Sequence, residues 1–268
     1  MLKHRYVLTV YLSGLLGIVL GAVFLQTSWW GLCWWTGLFL GLLAWGAFDL
    51  RLGYFLPVYY RNPREKHKRI ALTFDDGPSV HTQAILDLLQ QHRVQATFFC
   101  IGKEAEKHPD LVRKIHEQGH LIGNHTYTHS RNTGFLSADK IADEIRKTDR
   151  VIHAIIGVKP RLFRPPFGVS NPHIARALQK TTHEVIGWNI RSLDTVITDE
   201  QKILKKVISK IKPGSVLLFH DTSLRTVRIV EQLLLFLQEN AYQSVSVADL
   251  FELEGYANAA AKEPQQRG

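Results

Sequence analysis

Two apolar runs open the chain. Residues 6–25 and 29–48 contain no charged side chain, and each has about the 20 residues that an α-helix needs to cross ~30 Å of hydrocarbon. Only Gln26-Thr27-Ser28 separates them, so the pattern predicts a tight two-helix hairpin. Trp29, Trp30, Trp34 and Trp35 cluster beside the join, where an aromatic belt is expected. Gly14, Gly17 and Gly21 on the first run, and Gly37 and Gly41 on the second, would permit close helix packing. A cleavable leader over residues 1–27 fits less well, because the first run is long for a signal core and no small-x-small site follows it. A buried hairpin of a soluble protein is the third reading.

From residue 69 the pattern changes to short β-rich runs alternating with amphipathic stretches. Strands are expected at Ile70–Phe74, Ala96–Ile101, His120–Asn124, Leu162–Arg164, Glu184–Trp188, Ser215–His220 and Ser244–Val247. Helices are expected at 80–92, 105–118, 137–156, 172–181, 199–211 and 225–240, where apolar residues recur at helical spacing. Lys212-Pro213-Gly214 stops a helix just before a strand. Such alternation predicts an α/β fold with a parallel sheet, here a distorted or incomplete (β/α) barrel preceded by a two-helix transmembrane hairpin. Functional side chains would then sit at the carboxyl ends of the strands. The expected organisation is a membrane anchor at 1–50, a basic linker at 51–68, the α/β domain at 69–255 and a disordered tail at 256–268.

Charge changes this picture in one respect. The chain has 268 residues, 33 Lys and Arg against 24 Asp and Glu, and a net charge of +9. Residues 1–69 supply +6 of that, leaving the larger domain nearly balanced. No basic stripe interleaved with aromatics occurs there, so nucleic acid is not an expected partner. The basic residues instead flank the apolar runs. The positive-inside rule then places both termini in the cytoplasm of a multi-pass plasma (inner) membrane protein. Two cysteines, Cys33 and Cys100, exclude a disulfide framework and a Cys-based structural zinc site.

Five groups of residues at the strand ends carry candidate chemistry. In Thr73-Phe74-Asp75-Asp76-Gly77-Pro78, two adjacent carboxylates repel unless a cation is near; alone, the hexapeptide also reads as a polar turn. In His125-Thr126-Tyr127-Thr128-His129, imidazoles four apart on one helical turn can share a metal, although such a pair often arises by chance. With a carboxylate from another strand end they would form a two-His, one-carboxylate site for Zn²⁺, or for Co²⁺, Ni²⁺, Mn²⁺ or Fe²⁺. Arg164-Pro165-Pro166-Phe167-Gly168 is a stiff loop in which Phe167 keeps its N–H. In the segment Trp188 to Asp194 only those two residues stand out, and a surface Asp is the simpler reading. His220-Asp221 ends an apolar strand, and Asp221 alone reads as a helix N-cap.

The order and spacing of TFDDGP, HTYTH, RPPFG and LLFHD over about residues 66–252 resemble the polysaccharide deacetylases, carbohydrate esterase family 4, whose domain is called the NodB-homology domain. The resemblance implies a metal-dependent hydrolase that removes N-acetyl groups from amino sugars of a bacterial envelope polysaccharide or oligosaccharide. It implies Asp76, His125 and His129 as metal ligands, Asp75 as general base and His220 as general acid. It further implies that Arg164 holds Asp75, that Asp194 orients His220, and that the Phe167 N–H meets the oxyanion. Leu218, Pro165, Pro166 and Trp188 would line the substrate pocket. Arg191 stands where many members carry Asp, and Thr195 where many carry Trp, so the groove wall differs; Phe167 replaces a frequent Tyr. One divalent ion, most simply zinc, a carbohydrate and the lipid bilayer are the implied cofactor and partners. Two alternatives stay open: a deacetylase or deformylase of a lipid-linked sugar at the membrane face, and an inactive sugar-binding membrane protein on the same fold.

Overall fold

The computed structural model describes residues 3–257. The apolar hairpin is α1 (His4–Phe24) and α2 (Trp30–Phe48). The α/β part follows as β1 (Arg69–Asp75), α3 (Thr82–His92), β2 (Thr97–Cys100), α4 (Gly102–Lys107), α5 (Pro109–Glu117), β3 (Leu121–Asn124), α6 (Ala138–Ile156), β4 (Lys159–Pro160) and β5 (Leu162–Phe163). It continues with α7 (Pro172–Gln179), β6 (Glu184–Val185), β7 (Ile190–Arg191), α8 (Glu200–Ile208), β8 (Val216–His220), α9 (Leu224–Glu239), β9 (Gln243–Ser244), α10 (Val247–Phe251) and β10 (Tyr256–Ala257).

The main sheet runs β6-β5-β3-β2-β1-β8-β7, all parallel, with β9 also pairing β1. Its end strands β6 and β7 do not pair with each other, so the sheet curls into an open barrel. The alternation of side chains along a strand decides what faces where. On β1, Ile70, Leu72 and Phe74 point outward and pack with Ile85 and Leu89 of α3 and Ile229 and Leu233 of α9. Ala71 points inward, with Thr73 and Asp75 on the same side two and four residues on. On β8, Leu217 and Phe219 face the helices, which leaves Val216, Leu218 and His220 for the interior. Ala71, Leu121, Leu162 and Val216 fill the amino end of the barrel, Val247 and Leu250 of α10 plug it, and Phe99 and Ile186 stand above them at the level of Asp75 and Arg164. The polar inward residues are thereby raised to the carboxyl end.

The elements differ from the sequence pattern where turn chemistry overrides periodicity. The helix expected at 105–118 is two helices, because Pro109 opens α5 and cannot continue the backbone ladder of α4. The strand expected at Ser244–Val247 stops at Ser244; Ser246 accepts a hydrogen bond from the Asp249 N–H and so caps α10. Tyr256 and Ala257 pair antiparallel with Pro160 and Lys159. The remainder of the expected disordered tail, 258–268, lies outside the described residues.

Helices α1 and α2 are long and apolar enough to cross a membrane, with only 11% and 6% of their most apolar stretches buried. Of the five glycines expected at their contact, Gly14 fits: a Cβ there would stand 2.5 Å from the Trp35 ring. Gly17, Gly37 and Gly41 face nothing within 4 Å. Trp35 donates to the Tyr11 carbonyl at 2.9 Å, which makes it a contact residue; Trp29, Trp30 and Trp34 remain exposed.

The linker at 51–68 is folded onto the barrel. Tyr54 and Leu56 are buried, and Leu56 packs with Phe163, Ile174 and Val185. The Tyr59 N–H donates to the Val185 carbonyl at 2.9 Å and the Asn62 N–H to the Gly214 carbonyl at 2.8 Å. At the other end of this connection, the Ser170 N–H donates to the Ala47 carbonyl at 2.9 Å, tying the last turn of α2 to the loop after β5. Arg61, Arg64, Lys66, His67 and Arg69 line a groove of about 490 Å³ with Phe251 and Glu252, at the amino end of β1.

Candidate active site

Strand register brings the sequence motifs to one level. Asp75 lies beside His220, Cys100 beside Asn124, and Asn124 beside Phe163. The next residues along, Asp76, His125 and Arg164, therefore emerge together at the carboxyl end of the barrel.

Asp76, His125 and His129 each offer a ligand atom, all within 4.8 Å of one another. His125 Nε2 is 3.5 Å and His129 Nε2 3.4 Å from Asp76 Oδ1. The imidazole pair does not ride on a helical turn, as its spacing predicts; residues 125–130 form a loop in which Thr126 and His129 have φ of 64° and 48°. That conformation is disfavoured for a β-branched residue and is held by side chains. The Asn124 side-chain oxygen accepts from the Thr126 N–H at 2.9 Å, and the Thr126 hydroxyl from the His129 N–H at 3.2 Å. Asp76 also has φ of 71°, which Asp tolerates better than most residues.

The donor set fits a divalent transition metal. His125 Nδ1 donates to the Arg164 carbonyl at 2.6 Å, which fixes the tautomer and leaves Nε2 as the free lone pair. Burial alone would raise the Asp76 carboxyl, but the neighbouring imidazoles of His125, His129 and His220 outweigh it and hold it down to about 2. Burial and the neighbouring His125 push His129 down to about 4. A carboxylate and a neutral imidazole are the forms that ligate metal.

Asp75 is buried and points into the barrel, 3.8 Å from His125 Nε2. Arg164, fully buried, donates from Nη1 to Asp75 Oδ1 at 2.6 Å and to the Thr73 hydroxyl at 2.8 Å. Its Nε and Nη2 donate to the carbonyls of Ile186 at 3.1 Å and Gly187 at 3.0 Å, and its guanidinium carbon lies 4.0 Å above the Phe99 ring. One Asp75 oxygen is thus spoken for, and the other faces the triad.

His220 is held differently. Its Nδ1 meets Asp194 Oδ1 at 2.8 Å, and its Nε2 lies 4.0 Å from Asp76 Oδ2. Asp194 is no surface residue. It is buried, and accepts from the His220 N–H, the Thr226 hydroxyl and the Ser192 hydroxyl at 2.8, 2.8 and 2.7 Å. Burial would lower His220, but the hydrogen bond and charge of Asp194 outweigh it and raise the imidazole above its ordinary value.

The Pro165-Pro166 loop places Phe167 at φ of 60°, with its ring 4.6 Å from that of His129 and half-exposed at the mouth. The tip of the Trp188 ring lies where a Cβ on Gly168 would stand, so Trp188 closes that wall, and Leu218 is buried on the inward face of β8. Asp221 does not cap α9; Ser223 does. Asp221 is buried against Gly77, accepts from the Thr82 hydroxyl, and burial raises it to about 7. The sequence pattern had no means of separating it from a cap. Thr73, Ser192 and Thr226 were also unforeseen, although Thr73 and Ser192 lie within the quoted segments.

This open barrel, with a two-His, one-carboxylate cluster beside a carboxylate and an imidazole each locked by a buried partner, has the architecture of a hydrolase that activates water. Residues 62–186 match the polysaccharide deacetylase family. A peptidoglycan N-acetylglucosamine deacetylase of Bacillus cereus is 38% identical over 154 residues, covering 57% of this chain and 56% of the relative. The peptidoglycan N-acetylmuramic acid deacetylase PdaA of Bacillus subtilis is 30% identical over 195 residues, covering 70% and 74%. Among solved structures, a peptidoglycan N-acetylglucosamine deacetylase bound to an N-hydroxybenzamide superposes with a TM-score of 0.70 at 30% identity, over 75% of this chain and 95% of the other. The chain belongs to the polysaccharide deacetylase family. It spans little more than half the length of the B. cereus relative.

Proposed function

We propose that the protein is a membrane-anchored, metal-dependent N-deacetylase of amino sugars of the peptidoglycan type. The reading is carried by one observation: the candidate ligands Asp76, His125 and His129 lie between a base and an acid whose partners are different and fixed. Asp76, His125 and His129 would hold the ion. When bound, it supplies Lewis-acid chemistry, acidifying a water and polarising the amide carbonyl. Asp75, steadied by Arg164, takes the proton from the attacking water. His220, kept protonated by Asp194, gives a proton to the departing amine. The Phe167 N–H is the backbone donor for the oxyanion, a contribution of about 3–4 kcal/mol in other acyl-transfer enzymes. Leu218 and Trp188 enclose the acetyl methyl and one sugar face.

The hairpin α1–α2 serves as the anchor. Its flanks are bare of protein and its last turn is bonded to Ser170. It returns the chain to the side on which it began, so the amino terminus and the catalytic domain share one side of the membrane.

Full-length protein in detergent, tested with N-acetylglucosamine oligomers and muropeptides, should bind about one transition-metal ion per chain and release acetate. Metal-loaded protein that leaves both substrates intact would overturn the deacetylase reading.

A further inference from the structure

Residues 69–257 expose six large hydrophobic side chains: Val80, Phe135, Phe167, Val196, Leu224 and Leu235. Five of the six lie where the chain leaves the carboxyl end of a strand. Val80 follows β1, Phe135 β3, Phe167 β5 and Val196 β7, and Leu224 opens the helix after β8. Each is close in sequence to a site residue: Val80 to Asp76, Phe135 to His129, Val196 to Asp194, Leu224 to His220. They rim the mouth of the site, at 76%, 91%, 51%, 69% and 57% exposure in chain order. The outer wall of the barrel contributes only Leu235, and the amino end none. Three of the five, Val80, Val196 and Leu224, are aliphatic and offer a sugar neither a hydrogen-bond partner nor an aromatic face, which suits lipid better than saccharide at those positions. Exposed apolar side chains gathered on the loops of one end of the barrel, with almost none elsewhere on it, point to a protein or membrane contact at that end.

The same mouth is where the apolar hairpin joins. Ser170, bonded through its N–H to Ala47 and through its hydroxyl to Gly46, is three residues past Phe167. Three residues span about 10 Å at most. The start of α1 is held at this level too, the His4 N–H donating to the Tyr54 carbonyl at 2.9 Å. Trp45 and Phe48 are both exposed on the last turn of α2, beside the Gly46 and Ala47 carbonyls that Ser170 bonds.

We infer that the rim seats on the lipid bilayer entered by α1 and α2, so that the site opens on the membrane surface and takes an amino sugar carried there on a lipid. This rests on the deacetylase reading and on the hairpin as anchor, and names the substrate's setting. Lipid is the occupant because the loop that carries Phe167 is bonded through Ser170 to the last turn of α2, and both hairpin helices have flanks with little protein cover.

Seating is read without activity. Full-length protein with Cys33→Ser, labelled with an environment-sensitive dye at Val196→Cys, is placed in nanodiscs of brominated lipid. A second sample carries the dye at Lys210→Cys, toward the amino end of the barrel. Quenching at position 196 should exceed that at 210 several-fold; equal quenching overturns the inference. The setting of the substrate is read with Val80→Ser/Phe135→Ser/Val196→Ser/Leu224→Ser, which spares every site residue. Against an N-acetylglucosaminyl lipid in nanodiscs it should lose at least tenfold, while keeping the parental rate on a soluble oligomer. Equal rates on the lipid substrate, or an equal loss on both, overturn it. If the parental protein turns over neither substrate, the deacetylase reading fails while the quenching result stands.

Discussion

His125 and His220 approach the same carboxylate, Asp76, from two sides, yet the function proposed above gives them opposite tasks. Both are nearly buried and both spend Nδ1 on a fixed partner. His125 gives its Nδ1 proton to a neutral backbone carbonyl, and its Nε2 faces Asp76 and Asp75. His220 leans on a buried carboxylate that is itself fed by Ser192 and Thr226. Burial would lower both rings, and carboxylates raise both: for His125 they are Asp75 and Asp76, which face its Nε2 where a metal ion would take the proton's place, and for His220 it is chiefly Asp194 behind Nδ1, which leaves Nε2 free to hold a proton. What separates the two proposed roles is the atom behind Nδ1, the Arg164 carbonyl for His125 and the Asp194 carboxylate for His220.

The comparison can be broken at defined points. The largest effect is expected from His125→Ala, which should remove the bound ion, seen by metal analysis, and reduce acetate release to background. Next is Asp75→Asn: the ion stays while kcat falls by roughly 10²–10⁴-fold, the usual contribution of a positioned base. Asp194→Asn sharpens the contrast more finely. It should keep the metal and lower kcat, and it should shift the alkaline limb of the pH profile to lower pH. The sign follows from the acid role: His220 works protonated, Asp194 raises its pKa, and without that charge the proton is lost at lower pH. A profile that does not move would remove Asp194 as the source of the charge. Arg164→Met should act on the fold, because it strands buried Asp75. Breaking such a buried pair costs about 3–5 kcal/mol, to be measured as lost denaturant stability.

A control lies outside the site. His120 is buried, its Nε2 has no hydrogen-bond partner among the described residues, and burial lowers it to about 4. Its folded value is below its unfolded 6.5, so the unfolded chain takes up the proton first. Stability should therefore fall as pH drops from about 6.5 toward 4, by about 3 kcal/mol at most from this group. His120→Gln should flatten that slope in acid unfolding curves without moving the activity profile's alkaline limb.

The gathering of Asp75, Asp76, His125, Arg164 and His220 at one level was legible in the sequence because they sit in short contiguous motifs at strand ends, where register lines them up. The alternation that turns Asp75 and His220 inward was likewise readable from apolar neighbours such as Leu72, Phe74 and Phe219. Legibility stopped where meaning depends on distant partners. Asp194 draws on Ser192, Thr226 and His220, and no local spacing announces that. The positive φ at Thr126 and His129 depends on hydrogen bonds within the loop that period counting does not see. The basic stretch 61–69 reads as a membrane flank by position in the chain. In space it lines the amino end of the barrel, and Lys3, Arg5 and Arg51 are the basic residues beside the helix ends.

Between Phe48 and Arg69 the chain has no slack: Leu50 lies against Gly187, Tyr54 against Gly46 and His4 of the hairpin, Leu56 in the core beside Phe163, and Tyr59 and Asn62 are bonded to the barrel. An enzyme mounted this way has no tether with which to explore the space above its support. With the hairpin in a bilayer as proposed, its working radius would be the dimension of its own barrel, and it would meet its targets by lateral diffusion in two dimensions rather than by reaching into a thick wall.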